Sequence, residues 1–429
     1  MNVTADSFKY SLLVGSSATS GPTAMVYDNS SPRNAYFADP KAHKIIRITN
    51  GVATLYGLAE GFGGDGLPIG QSSSRFNSSS DVLFASALGQ YVYILDTGNH
   101  CIRRFVISAT ASAQTLTTFA GTCTSTATFQ RPEAFTSYTN RIFVADTGNH
   151  VIVEVGSTGS IVGTRAGQKG VHSAADGTGT FATFANPAGI AVDATNAVAY
   201  ISCFSTNTIR AMTLTNFAVT TVAGTGGFGL FDGAARTVAQ FKTPRRLAFS
   251  AFYGVLFVAD SQNNRIRAYN GSQQTVSTVA GNDFGAQAPG SSFTDMWLDM
   301  FRTPQGVYVD ATTNIVFAID TGNAYVTAIT AASVACSPGS YCPSGSSSPT
   351  QALCPAGVYC SGGASSALGS SICPPSFYCP AGTSAASLAC SAGFFCAAGS
   401  MNAQGGSNAA SSMVMMVYSF QLTVSLRYC

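Results

Sequence analysis

Four histidines, nineteen carboxylates and twelve cysteines are the groups with which this 429-residue chain would hold a metal, move a proton or form a covalent bond. His43, His100 and His150 each stand four residues after an aspartate, at Asp39, Asp96 and Asp146. A metal site needs ligands that converge, whereas residues at one position of a repeat are spread apart, so these three read as structural parts of turns. His172 stands alone in a Gly-rich stretch. Asp65, Asp176 and Asp232 lie in GGDG, ADGTG and FDGAA, and one carboxylate per loop is turn chemistry rather than the several oxygens calcium needs. No Gly-rich segment ends in the Lys-Ser/Thr of a phosphate loop, and no Gly-x-Ser-x-Gly nucleophile elbow occurs. No catalytic residue, metal or cofactor is expected.

The elements that carry these residues follow from composition. The 28 Phe and 17 Tyr supply a core, while 44 Gly and only three Glu (Glu60, Glu133, Glu154) favour short strands and turns over helices. A formal charge of +2 without a basic run gives no footprint for nucleic acid. No long uncharged apolar segment is present to cross a membrane; the apolar end MVMMVYSFQLTVSLRYC contains Ser, Gln and Thr and is short. The first residues lack the basic start and apolar core of a signal peptide.

Self-comparison shows a repeat of roughly fifty to sixty residues. YILDTGNHCIRR, FVADTGNHVIV, FVADSQNNRIRA and FAIDTGNAYVTA each read as a strand, an Asp, a polar turn and a second strand, with Asp96, Asp146, Asp260 and Asp320 in the common slot. YFADPKAHKII places Asp39 there, and YISCFSTNTIR substitutes Cys203. A preceding strand opens at Pro22, Pro132, Pro187, Pro244 or Pro304, with Ser79 in the sixth slot. Three residues before that slot stands Phe76, Phe129, Phe184, Phe241 or Phe301, an apolar anchor between neighbouring units. A fourth strand ends each unit at Gly57, Gly121, Gly167, Gly224 or Gly281; the last unit lacks one, and YSLLVG at the start of the chain supplies it. Such an exchange closes a ring and removes open edges. The expected fold is all-β: a six-bladed β-propeller over residues 8–333, its N-terminal strand completing the last blade.

DTGNHCIRR and DTGNHVIV resemble the Asn-His-Leu-type hairpin of the NHL-repeat family. That resemblance implies the propeller fold. It does not imply one function, since its members and relatives include RNA-binding propellers, extracellular sensor and adhesion modules, and six-bladed enzymes. Sugar-lactonase-like propellers hold a metal with Glu, Asn and Asp, and lyases of this architecture use several His; neither set recurs on the first strands here.

In such a ring the residues after the Pro slot surround the channel mouth. Asp81, Glu133, Arg245 and Arg246 make a mixed-charge rim there, a candidate for polar ligand contact or for internal pairing. Trp297, in FTDMWLDMF, is a candidate docking knob or core cap.

Cysteine usage divides the chain. Cys101 opens the third strand of blade 2 and Cys123 follows its fourth, so antiparallel pairing brings them together for a disulfide. Cys203 is expected as a free thiol. The tail repeats Cys-x5-Cys four times: Cys336/Cys342, Cys354/Cys360, Cys373/Cys379 and Cys390/Cys396, each with an aromatic before the second Cys. Density of this kind belongs to oxidising compartments, and with no tail His to complete a zinc site these eight are expected in disulfides of open connectivity. The segment resembles ephrin-receptor-like or growth-factor-receptor-like cysteine-rich repeats. Domains are therefore expected at 8–333 (propeller), 334–400 (cysteine-rich) and 401–429 (apolar tail). The functional expectation is a monomeric, non-enzymatic, extracellular or cell-surface glycoprotein with sequons at Asn2, Asn29, Asn77 and Asn270, binding a protein or glycan at the propeller face and no nucleic acid. A lactonase- or lyase-like propeller enzyme with a channel-mouth metal is the alternative, and RNA binding is third.

Overall fold

The computed structural model describes residues 21–50, 52–57, 75–107, 115–123, 128–281 and 301–329, with short pieces at 10–11, 59–60, 65, 67–68, 340–341, 352–353, 356, 358–359, 371–372, 376–381, 388–389 and 401. The chain separates into two units, Met1–Ile329 and Thr330–Cys429.

The first unit is a six-bladed β-propeller. Blade 3 shows the plan: Ala134–Tyr138, Arg141–Asp146, Val151–Val155 and Ile161–Ala166 pair antiparallel in that order, from the channel outwards. The second strand, RIFVAD, is buried at every position but its first, because neighbouring blades cover both of its faces. That requires an unbroken apolar run rather than alternation. The outer strand, IVGTRA, is mostly exposed and tolerates Gly, Thr and Arg.

The anchor phenylalanines fill the gaps between blades. Phe76 is fully buried in a cluster that joins Tyr36 and Tyr56 of blade 1 to Val92 and Phe105 of blade 2, and Phe184 occupies the same place between blades 3 and 4. Burying one such side chain stabilises by about 1.5–3 kcal/mol.

Blade 6 closes the ring as its missing fourth strand requires: Gly306–Val309, Val316–Asp320 and Tyr325–Ile329 are completed by Tyr10–Ser11, with Tyr10 opposite Val326. Blades 2, 4 and 5 carry a fifth, outermost strand, supplied by the interblade connections at Leu67–Pro68, Gly177–Thr178 and Gly233–Ala234. The repeat pattern contains no sign of these two-residue strands.

Among the described residues of the second unit, two-stranded ribbons pair Ser340–Tyr341 with Ala352–Leu353, Val358–Tyr359 with Ser371–Ile372, and Phe377–Tyr378 with Leu388–Ala389. Cys379 is buried and disulfide-bonded. Cys336, Cys342, Cys354, Cys360, Cys373, Cys390 and Cys396 lie outside the described residues, as does Trp297.

Candidate functional site

Each residue of the DTGNH hairpin has a distinct task, and blade 3 displays all five. Asp146 is buried; its Oδ1 accepts the Gln130 amide at 2.7 Å, tying the hairpin to the segment that leads into its own blade. The Thr147 hydroxyl donates to the Pro187 carbonyl of the next blade at 2.6 Å. Gly148 admits close approach, because a Cβ there would lie 2.5 Å from the Gln130 carbonyl oxygen. Asn149 Nδ2 donates to Asp146 Oδ2 at 2.7 Å. His150 takes the left-handed conformation, φ 61°, and its Nδ1 accepts the Asn186 amide of the next blade at 3.3 Å.

The pattern recurs around the ring. His43 and His100 accept the Ser78 and Arg131 amides at 3.0 Å, and Asn207 and Asn264 do the same for Thr243 and Thr303. The histidines are therefore interblade acceptors with the proton on Nε2, and burial lowers the pKa of His100 and His150. Asp96, Asp260 and Asp320 repeat the Asp146 contacts, while Asp39 accepts the Gly21 amide at 3.3 Å. Burial holds Asp96, Asp146, Asp260 and Asp320 up to about 6, against the pull of their amide and Asn donors. Beyond shaping their own turns, these hairpins carry the aspartate bond and the histidine bond to the interblade segments. Cys203 is fully buried with the Ala185 amide as partner, and burial raises its thiol to about 11.

The loop aspartates have a role that turn chemistry did not suggest. Arg103, Arg210 and Arg267, each seven residues after the blade slot, are fully buried. They pair with Asp65 at 3.2 Å, Asp176 at 2.8 Å and Asp232 at 2.6 Å. The same aspartates accept from Thr118, Thr221 and Thr278 of the outer strands, stapling each long connection to its blade. The signal was present in the sequence: those three blades have both the loop Asp and the strand Arg, whereas blades 1 and 3 have Ile46 and Val153 in the Arg position.

All four candidate rim residues converge at the channel mouth and satisfy one another. Arg246 of blade 5 reaches across the ring to ion-pair with Asp81 of blade 2 and donates to the Ser80 carbonyl. Arg245 pairs with Glu133 of blade 3 at 2.6 Å and stacks over Phe204 at 4.2 Å. The Arg246–Asp81 pair borders a cavity of about 220 Å3, whose lining also includes Met25, Leu83, Phe135 and Thr136. Among the described residues no three His, Cys, Asp or Glu gather as a metal site.

Sequence reasoning missed one surface altogether. The connection GGFGLFDG before blade 5 exposes Phe228, Leu230 and Phe231 at 75%, 43% and 62%. Its backbone is fixed: Asn263 of the blade 5 hairpin donates to the Gly229 carbonyl at 2.6 Å, and Arg267 to the Phe231 carbonyl at 2.8 Å. The loop thus lies beside the turns that join second and third strands, on the face where the DTGNH hairpins also lie.

The fold and its repeated hairpin network define a six-bladed β-propeller. The chain is similar to NHL repeat-containing protein 2 of Bos taurus, 23% identical over 343 residues, covering 70% of this chain and 45% of that protein. It is also similar to its Gallus gallus counterpart, 26% identical over 151 residues, covering 33% of this chain and 20% of that protein. The chain therefore spans less than half of the curated relatives it matches. No family model matches. Among solved structures, an auxiliary nutrient binding protein from Bacteroides thetaiotaomicron superposes with a TM-score of 0.51 at 14% identity, covering 72% of this chain and 68% of that one. A second Bacteroides thetaiotaomicron protein, of unknown function, gives a TM-score of 0.53 at 13% identity over 75% and 71%. These likenesses concern the fold.

Proposed function

We propose that the protein is a non-enzymatic interaction module whose propeller docks a partner protein on the hairpin face, with Phe228, Leu230 and Phe231 as apolar anchors. The exposed GFGLF loop carries this reading. Apolar side chains left in water on a loop that Asn263 and Arg267 hold by hydrogen bonds to its backbone are costly alone, and a preorganised anchor loses little entropy on docking. The polar rim contributes less, because Asp81, Glu133, Arg245 and Arg246 already have partners. Cysteine density in the tail supports an extracellular or cell-surface setting, with the cysteine-rich segment as a stalk.

Two measurements test this. A Phe228→Ser/Phe231→Ser variant should lose at least tenfold affinity for partners captured by photo-crosslinking from the loop, with an unchanged melting curve; equal capture by both proteins refutes the docking site. Intact mass before and after reduction and alkylation tests the setting: eight alkylatable tail cysteines before reduction would place the protein in a reducing compartment.

A further inference from the structure

Three of the four Asn-x-Ser/Thr sequons lie among the described residues, and the structure sorts them. Asn77 is closed. Its side-chain amide lies against Gly98, so closely that a Cβ on that glycine would come within 2.4 Å of the Asn77 amide carbon. Its sequon hydroxyl, Ser79, is fully buried and donates to Asp96 Oδ1 at 3.3 Å. An oligosaccharide on Asn77 would have to displace the blade hairpin.

Asn270 is open. It ends the third strand of blade 5, and its Oδ1 accepts the Ser272 and Gln273 amides, each at 3.0 Å. Those bonds hold the side chain while Nδ2 keeps no hydrogen-bond partner among the described residues, and the Ser272 hydroxyl is exposed. Asn29 is open as well. Asp28 locks its loop by accepting from the Ser30 amide and hydroxyl and from Asn34, which leaves Asn29 and the sequon residue Ser31 exposed.

We infer that Asn29 and Asn270 carry N-linked oligosaccharide and that Asn77 does not. In the transfer, the sugar C1–oxygen bond to a lipid-linked pyrophosphate breaks, C1 bonds to Nδ2, the amide nitrogen gives up one proton, and the lipid pyrophosphate leaves. Asn29 lies in the connection between strands one and two, and Asn270 at the end of strand three where the connection to strand four begins. Antiparallel pairing puts both on the face opposite the DTGNH hairpins. Both open sequons therefore stand on that face, while the described sequon on the face of Phe228 and Phe231, Asn77, is the closed one. This inference rests on the secretory setting proposed above.

The test keeps the two apart. The full chain is secreted from a eukaryotic host behind an added leader, treated in H2(18)O with a peptide:N-glycosidase that hydrolyses the glycosylated Asn amide, and mapped by mass spectrometry. The expected result is labelled aspartate at positions 29 and 270 and unmodified Asn77. Label at Asn77, or its lack at either of the other two, overturns the assignment. Alkylation of the same secreted preparation before and after reduction reads the setting by itself: tail thiols that stay free in the oxidising pathway would refute the setting and leave the acceptor map standing.

Discussion

Asp146 shows how one residue makes the fold respond to pH. Its carboxyl titrates near 3.8 in an open chain and near 6 in the blade, where burial outweighs the Asn149 and Gln130 donors. The folded state then binds the proton more tightly than the unfolded one. The stability this contributes is fully present below 3.8 and is lost as pH rises through about 6. Asp96, Asp260 and Asp320 act in the same direction. His100 and His150, held below the usual imidazole range, act in the opposite sense. The four aspartates outnumber them, so the urea midpoint should be higher at about pH 5 than at about pH 7, and Asp146→Asn should reduce that difference. An unchanged slope in the variant would show that the aspartate stays ionised in the fold. The hairpin aspartates were legible in the sequence because they recur in register. The Thr147 bond to Pro187 was not, although Thr97, Ser261 and Thr321 repeat it toward Pro132, Pro304 and Pro22. A small hydroxyl residue after Asp looks like ordinary turn composition until the neighbouring blade is in place.

Within a blade, local cross-links decide how firmly the outer strands are held. The Cys101–Cys123 disulfide joins the start of the third strand of blade 2 to the turn after the fourth, with Cα atoms 5.0 Å apart and a sequence separation of 22. The spacing of strand ends made this pairing readable from the sequence. Closing a loop of that length restricts the unfolded chain, so Cys101→Ala/Cys123→Ala should lower unfolding free energy by about 3 kcal/mol, read by urea titration. No loss would mean that Asp65, which binds Arg103 and Thr118 of the same two strands, already fixes them. The Asp–Arg staples were half visible: the Asp-Gly loops were noticed, but their partners lie 34 to 38 residues away on another element.

Ring closure is a property of the whole molecule. Thr321 donates to the Pro22 carbonyl at 2.7 Å, the same bond that links blades 2 and 3, 3 and 4, and 5 and 6, and Arg33 of blade 1 forks onto Asp310 of blade 6. Removing residues 1–20 strips Tyr10–Ser11 from the edge of Tyr325–Ile329 and exposes unpaired backbone. The truncated chain should melt roughly 5 °C lower and self-associate through that edge, which light scattering after size exclusion would show. A monomer of unchanged melting temperature would mean that the side-chain bonds alone close the ring. The sequence by itself determined the blade count, the order of strands, the closing strand and the hairpin grammar, because each is written in apolar periodicity and in residues repeated at fixed spacing. Only the tertiary structure decided the rest. That Arg246 spans the channel to Asp81 depends on the ring's width, that Asp65, Asp176 and Asp232 cap buried arginines depends on how far each connection folds back, and that Phe228 and Phe231 remain in water depends on which neighbours the closed ring leaves them, distances that no local pattern encodes.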